Sequence, residues 1–270
     1  MDKKELFNKI CKDIQYIKIQ GARNIAKAGL KAYNLIPTKA SKKKLLSLRP
    51  TEPMLERVLN LADKLSYNEI INHFNKTQEN INKHIFKLIK NNDIIFTHCH
   101  STNVVNALIY AKKHRKKFQV YNTETRPLFQ GRKTAIELRK ANIKVTMFID
   151  SAIGIALSKT KNNENQKVTK VFLGADALTK NGIINKIGSE LISKIAKNEK
   201  ISVYIIADSW KYTNKKVPIE NRNLNEIWDK APKNIKIQNP AFEFVPKKYI
   251  KEIITEFGLL SYDKFLRKVR

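Results

Sequence analysis

Between Asp93 and Ser209 the chain repeats one pattern, a short apolar run that stops on a polar or reactive residue. Ile94-Ile95-Phe96 runs into Thr97-His98-Cys99-His100, and Phe118-Gln119-Val120-Tyr121 runs toward Glu124-Thr125-Arg126. Val145 to Ile149 ends at Asp150, Val171-Phe172-Leu173 at Gly174-Ala175-Asp176, and Val203 to Ile206 near Asp208. Short β-branched and aromatic runs separated by helical segments predict βαβ units around a buried parallel sheet. The strands of such a sheet all point one way. Their carboxyl ends therefore collect on one edge, where ligands bind. The pattern predicts that Cys99, Arg126 and several acidic side chains converge, although they lie far apart in sequence.

The chain before this region reads as helical. Leu6, Ile10, Ile14 and Ile17 recur at helical spacing, and Ile25, Leu30, Tyr33 and Leu35 continue the pattern up to Pro37. Arg49-Pro50-Thr51-Glu52-Pro53 is a break rich in turn formers, with Thr51 placed to cap the next helix and Pro53 in its first turn. Ile70, Phe74, Ile81 and Ile85 predict a helix from about Tyr67 to Lys90. Asn91-Asn92-Asp93 marks the expected boundary between a helical domain, 1–92, and a sheet domain, 93–270.

Within the second domain, Ser101 is the expected N-cap of a helix over 102–112, Gly131 precedes a helix reaching about Ala141, and Ser151 caps a short one. Asn181-Gly182 signals a hairpin, and Gly188-Ser189 opens a further helix. Residues 159–170 read as a polar loop, and 210–238 as a wandering segment with at most one short strand. A last strand is expected over 240–245. Pro246 then starts a helix through Ile250, Ile253 and Ile254 that Gly258 ends, before a basic tail over 262–270.

Lys and Arg number 53 against 24 Asp and Glu, a net charge of +29. Such a field attracts phosphates on nucleic acid, sugars or nucleotides. A Lys-rich solvated surface gives the same count. The two cysteines, far apart, fit a reducing cytoplasm rather than a disulfide framework. No apolar run is long enough to span a bilayer, and Met1-Asp2-Lys3-Lys4-Glu5 opens no signal segment, so a soluble cytoplasmic protein is expected.

Cys99 sits where a strand gives way to a helix N-terminus, a position that favours the thiolate. A small buried apolar cysteine is the plainer reading, and the one taken for Cys11. His98 and His100 flank Cys99 but would point away from it on a strand, and no CxxC or HExxH accompanies them, so no metal is expected. Asp176 follows Gly174-Ala175, small residues that admit a close approach, or else it caps a turn. Asp150 and Asp208 are read mainly as caps. Arg126, stiffened by Pro127, suits bidentate phosphate binding or pairs with Glu124. Lys186 stands before a helix N-terminus able to receive an anion. The eight glycines never form GxGxxG or GxxxxGK[ST], which excludes the common dinucleotide and P-loop devices, and no cofactor is expected.

THCHS at Thr97–Ser101, TETRPLFQGRKTA at Thr123–Ala135 and GADAL at Gly174–Leu178 carry a resemblance. So do NGIINKIGS at Asn181–Ser189, NPAFEFVP at Asn239–Pro246 and LRPTEP at Leu48–Pro53. Together they resemble the superfamily of sugar-phosphate aldose–ketose isomerases that also contains the regulatory subunits of translation initiation factor 2B. The resemblance implies an α/β protein with an N-terminal helical domain and a Rossmann-like, doubly wound parallel-sheet domain that holds no dinucleotide. It also implies homo-oligomers assembled through the second domain.

The isomerases of that superfamily share a Cys after the first strand and an Asp in the GAD motif, here Cys99 and Asp176. The pattern is nearest that of the ribose-1,5-bisphosphate isomerases, with Arg49-Pro50-Thr51 part of the match. Methylthioribose-1-phosphate isomerases are a poorer match. The arginine that both kinds carry before Gly-Ala is Gln20 here, ahead of Gly21-Ala22. The implied activity is conversion of ribose 1,5-bisphosphate to ribulose 1,5-bisphosphate, with Cys99 and Asp176 as acid and base. Gly21, Ala22, Arg49 and Thr51 are the implied contacts for one phosphate, Arg126 and Lys186 for the other, with Gln130 and Asn185 on the sugar hydroxyls. The alternative is a non-enzymatic regulatory subunit that binds a nucleotide or sugar phosphate together with a translation partner or nucleic acid.

Overall fold

A computed structural model describes residues 2–158 and 167–269. Five helices come first: α1 (Lys3–Gln15), α2 (Ala22–Leu35), α3 (Lys39–Leu48), α4 (Pro53–Leu61) and α5 (Tyr67–Leu88). Capping boxes start three of them, Asp2 with Glu5 on α1, Thr38 with Ser41 on α3 and Ser66 with Glu69 on α5. Each box satisfies backbone donors that have no partner inside the helix. The N-cap of α4 is Glu52 and not Thr51. Pro53 begins the helix as expected, and no side chain caps it. Phe7, Ile14, Ile25, Leu45 and Leu55 fill a core among α1 to α4, while Ala26, Met54, Val58, Ile70 and Phe74 fill a second.

The alternating part follows as β1 (Asp93–Thr97), α6 (Thr102–Lys113), β2 (Phe118–Thr123), α7 (Gln130–Lys140), β3 (Lys144–Phe148), α8 (Ile153–Leu157) and β4 (Lys170–Leu173). Then come β5 (Ala177–Leu178), β6 (Gly182–Lys186), α9 (Ser189–Asn198) and β7 (Ser202–Ile206). The chain finishes with β8 (Phe242–Pro246), β9 (Glu252–Thr255), β10 (Gly258–Leu260) and α10 (Tyr262–Val269). All five apolar runs are strands of one seven-stranded sheet in the order β10-β9-β7-β4-β1-β2-β3. It is parallel except for its β10 edge. Side chains alternate between its faces. Ile95, Phe172 and Ile206 meet α5 and α6 on one face, and Phe96, Val171 and Ile205 meet the α9 and α10 cores on the other. Each such fully buried side chain contributes about 1.5–3 kcal/mol.

The C-terminal stretch departs from expectation. The segment expected to be a helix from Pro246 to Gly258 is a short 3-10 turn over Lys247–Tyr249 followed by β9, and Gly258, at φ 116, opens β10. The expected basic tail is helix α10, with Tyr262, Phe265 and Leu266 buried and the Tyr262 hydroxyl donating to the Thr179 carbonyl at 2.9 Å. The strand expected near 240–245 forms, but it joins β5 and β6 in a separate antiparallel sheet ordered β5-β6-β8. The segment over 210–238 holds no named strand among the described residues. Of the expected polar loop at 159–170, residues 159–166 lie outside the described residues.

Candidate active site

The strand order reverses at the centre of the sheet. From β1 the chain winds outward through β2 to β3, and from β4 it winds the other way through β7 to β9. A crevice opens beyond the carboxyl ends of the two strands that flank such a reversal. Cys99 lies just past β1 and Asp176 just past β4, and these strands are hydrogen-bonded neighbours. Both residues line one cavity of about 110 Å³.

Threonines hold the loop after β1. Cys99 N donates to Thr125 Oγ1 at 3.0 Å, and Thr134 Oγ1 donates to the Cys99 carbonyl at 2.8 Å. That hydroxyl has one proton, so it accepts from Nδ1–H of His100 at 3.0 Å. His98 Nε2 lies 2.8 Å from the Ile187 carbonyl, which can only accept, so Nε2 carries the proton and Nδ1 accepts from the Thr123 hydroxyl at 2.5 Å. Cys99 itself is left-handed, at φ 63. The strand alternation expected for residues 98–100 therefore does not apply. A backbone turn of this kind costs about 1–2 kcal/mol outside glycine, and the threonine bonds offset it. Close packing completes the loop. A Cβ on Gly174 would stand 2.7 Å from Ser101 Oγ, and one on Gly188, at φ 100, would stand 3.2 Å from the His98 ring.

Asn185 and Lys186 reach the cavity from β6, in the small antiparallel sheet. Gly21 and Ala22 bring the α2 N-terminus, Thr102 and Asn103 that of α6, and Gln130 that of α7. Helix N-termini present unpaired N–H groups and a positive dipole end to an anion. Ser101 makes no side-chain cap on α6. The N-terminus of α9, expected to receive an anion beside Lys186, is filled from within the chain: Glu243 accepts from Glu190 N at 2.8 Å.

Of the residues singled out by sequence, Cys99, Asp176, Gly21, Ala22, Arg49, Gln130, Asn185 and Lys186 line the cavity. Thr51 and Arg126 do not. Thr51 is buried with its hydroxyl 3.4 Å from Glu220, and exposed Arg126 donates to the Ile227 carbonyl at 3.2 Å. Glu124 pairs with Arg132 at 3.0 Å rather than with Arg126. Asp150 accepts from the backbone N–H groups of Thr125 and Arg126, at 2.9 and 2.6 Å, and so caps that loop instead of a helix. Five charged residues that sequence reasoning did not place in the site also line the cavity: Arg23, Glu52, Lys133, Lys211 and Arg222. Arg23 lies one residue past Gly21-Ala22, and Glu52 and Lys133 fall inside the LRPTEP and TETRPLFQGRKTA stretches, whereas no sequence signal marks Lys211 or Arg222.

The electrostatics differ from the sequence expectation at Cys99. Burial pushes its thiol up to about 11, against the pull of Lys186 toward the thiolate. Burial also raises Asp176, opposed by Lys211, Arg49 and Lys186. It lowers Lys186, which Cys99 and Asp176 pull back up. His100 is pushed down to about 4 by burial and by Lys133, so at neutral pH it is uncharged with its Nε2 lone pair free. Buried Gln130 Oε1, Arg49 Nε and Glu52 Oε2 have no hydrogen-bond partner. Three residues of the cavity lining thus each carry a buried polar atom left unpaired within the chain. Away from the cavity, His73, Asp208 and Glu256 bring ligand-type atoms within 4.8 Å of one another. These are already occupied, by Thr77, Trp210 N and Ser209 respectively.

The family described as "Initiation factor 2 subunit family" matches residues 12–262. A ribose 1,5-bisphosphate isomerase of Methanocaldococcus jannaschii is 33% identical, over 96% of this chain and 93% of that protein. Among solved structures, the Pyrococcus horikoshii OT3 translation initiation factor eIF-2B superposes with a TM-score of 0.83 at 23% identity, covering 98% of both chains. A 5-methylthioribose 1-phosphate isomerase of the same organism gives 0.77 at 20% identity, over 97% of this chain and 87% of that one.

Proposed function

The chain belongs to the initiation factor 2 subunit family, and from that premise we propose that it is an aldose–ketose isomerase converting ribose 1,5-bisphosphate to ribulose 1,5-bisphosphate. The observation that carries the reading is the placement of Cys99 and Asp176 just past the ends of the neighbouring strands β1 and β4 at the reversal point, in one cavity with Lys186. It is supported by the named activity of relatives that match nearly end to end.

The reaction breaks the bond between C1 and the ring oxygen, and that oxygen gains a proton. The C2 hydrogen moves to C1, and the 2-hydroxyl gives up its proton as C2 becomes a ketone. One acid and one base meet these demands. Burial raises the Asp176 carboxyl and so favours its protonated form, the form suited to protonate the ring oxygen. Cys99 is left to take the hydroxyl proton, with Lys186 as the cation that favours its ionised form. Gln130 and Asn185 face the sugar. The N–H groups of α2 with Arg23 and Arg49, and Lys186 with Lys133, are the candidate phosphate contacts.

We read the assembly as a homo-oligomer formed through the sheet part. Edge strand β3 leaves Met147 exposed, and Ile149 and Ile155 just beyond it are exposed too, the kind of apolar edge that a second copy covers. No helix among the described residues is long and apolar enough to cross a membrane.

The net charge of +29 favours a second reading, a regulatory protein that binds a sugar phosphate or nucleotide without turning it over and docks on a translation partner. Phosphorus NMR of the protein with ribose 1,5-bisphosphate separates the two. Growth of ketose bisphosphate resonances supports the isomerase. A bound but unchanged aldose supports the regulatory protein.

A further inference from the structure

Glu52 is a carboxylic acid built into the wall of the cavity without an evident structural need. It is 3% exposed, and its Oε2 is buried with no partner. Its Oε1 lies 3.5 Å from the Arg49 guanidinium, which is shared with Glu220 at 3.0 Å. The groups facing it come from four separate segments: Arg49 at the end of α3, Asp176 after β4, Lys211 after β7 and Glu220 in the long segment before β8. Lys211 is itself committed to the Ala175 carbonyl. A bare carboxylate oxygen in this position would face two further carboxyl groups and receive no hydrogen bond, a costly arrangement. A protonated carboxyl has neither problem. It has instead an unspent O–H beside Asp176.

We infer that Glu52 meets the ligand as a neutral acid, its Oε2 hydroxyl donating to an oxygen of the bound sugar phosphate beside Asp176. The identity of that ligand rests on the isomerase reading. In this role Glu52 contacts substrate without adding negative charge to a cavity that must admit a doubly phosphorylated anion. Burial and the nearby Asp176 push its carboxyl up to about 8, so the required form prevails at neutral pH and is lost as pH rises through that value. The other titratable and charged groups on the cavity are Cys99, His98, His100, Lys133, Lys186, Arg23 and Arg222. Of these, Lys186 also loses binding power with rising pH, since burial lowers it.

The test is calorimetric titration of the protein with ribulose 1,5-bisphosphate between pH 7 and 9, in buffers of different ionisation heat. Binding selective for the protonated form weakens about tenfold over that range, with about half a proton taken up per site at pH 8. Glu52→Gln, which copies the shape and the hydrogen-bond donor of the acid, binds with a nearly level affinity and no uptake. Wild-type protein that binds without proton uptake at pH 8 overturns the inference, and that result needs no variant to fold. So does a Glu52→Gln protein that weakens as steeply as wild type, which assigns the effect to Lys186. Proton uptake in a protein that never isomerises the aldose removes the isomerase reading and leaves Glu52 in its role. Turnover without uptake does the reverse.

Discussion

The Arg49 guanidinium and the Glu220 carboxylate meet at 3.0 Å from positions 171 residues apart. The contact neutralises a cation that lines the cavity, while Arg49 Nε remains unpaired. A substrate phosphate that uses Arg49 has to displace Glu220 or share the guanidinium with it. Glu220→Gln should therefore lower the KM for ribose 1,5-bisphosphate by up to about tenfold, since a hydrogen bond to a charged group contributes about 1.5–3 kcal/mol. Steady-state kinetics of this variant checks it. An unchanged KM means that Arg49 plays no part in binding.

Gly131 fixes the start of α7, beside the cavity-lining Gln130, through backbone contact. A Cβ there would stand 1.7 Å from the Thr123 carbonyl oxygen, a group held in β2 that cannot swing aside. Gly131→Ala should destabilise the protein by about 1–3 kcal/mol, the usual cost of overpacking. Denaturant midpoints measure the loss. Activity should fall as well, because α7 carries Gln130 and Thr134.

His100 gives a pH signature. Its folded-state pKa of about 4 lies below the unfolded value of about 6.5, so the unfolded chain binds the extra proton between those limits. Its contribution is present above about pH 6.5 and is lost as pH falls toward 4. Buried carboxyl groups such as Glu52 act with the opposite sign in part of this window, so the difference between wild type and His100→Asn is the useful quantity. Denaturant unfolding at pH 7 and 4.5 should show wild type losing about 2–3 kcal/mol more than the variant. Equal losses would mean that the His100–Thr134 bond does not hold the neutral ring.

Much of the fold was legible because local signals agreed with tertiary ones. The strands ending near Cys99 and Asp176 are β-branched, apolar and short, and the hydrogen-bonded order of β1 and β4 turns that pattern into a shared cavity. The C-terminal stretch misled for a physical reason. Ile250, Ile253 and Ile254 fit a helix, yet Ile253 and Ile254 lie on opposite faces of β9, a strand covered on both sides, so no alternation of polar residues marks it. Glu52 was invisible for another reason. It reads as an N-terminal helix residue beside Pro53, and only the approach of the distant segments that carry Asp176, Lys211 and Glu220 places it in a buried charged cluster. Arg126 shows the converse. Its Pro-stiffened loop suggested a phosphate fork, but Asp150 draws the backbone of that loop to itself and leaves the side chain at the surface.

The most direct test of the account compares single-turnover isomerisation of ribose 1,5-bisphosphate by wild type, Cys99→Ser and Asp176→Asn. Serine keeps the shape of the thiol but does not ionise near neutrality, and asparagine keeps the shape of the carboxyl without its proton. The account predicts ribulose 1,5-bisphosphate from wild type. It predicts at least a ~10²-fold slower rate from each variant, the usual size of an acid–base contribution, with binding retained. A wild type that makes no ketose bisphosphate, or a Cys99→Ser protein that makes it at an unchanged rate, would contradict it.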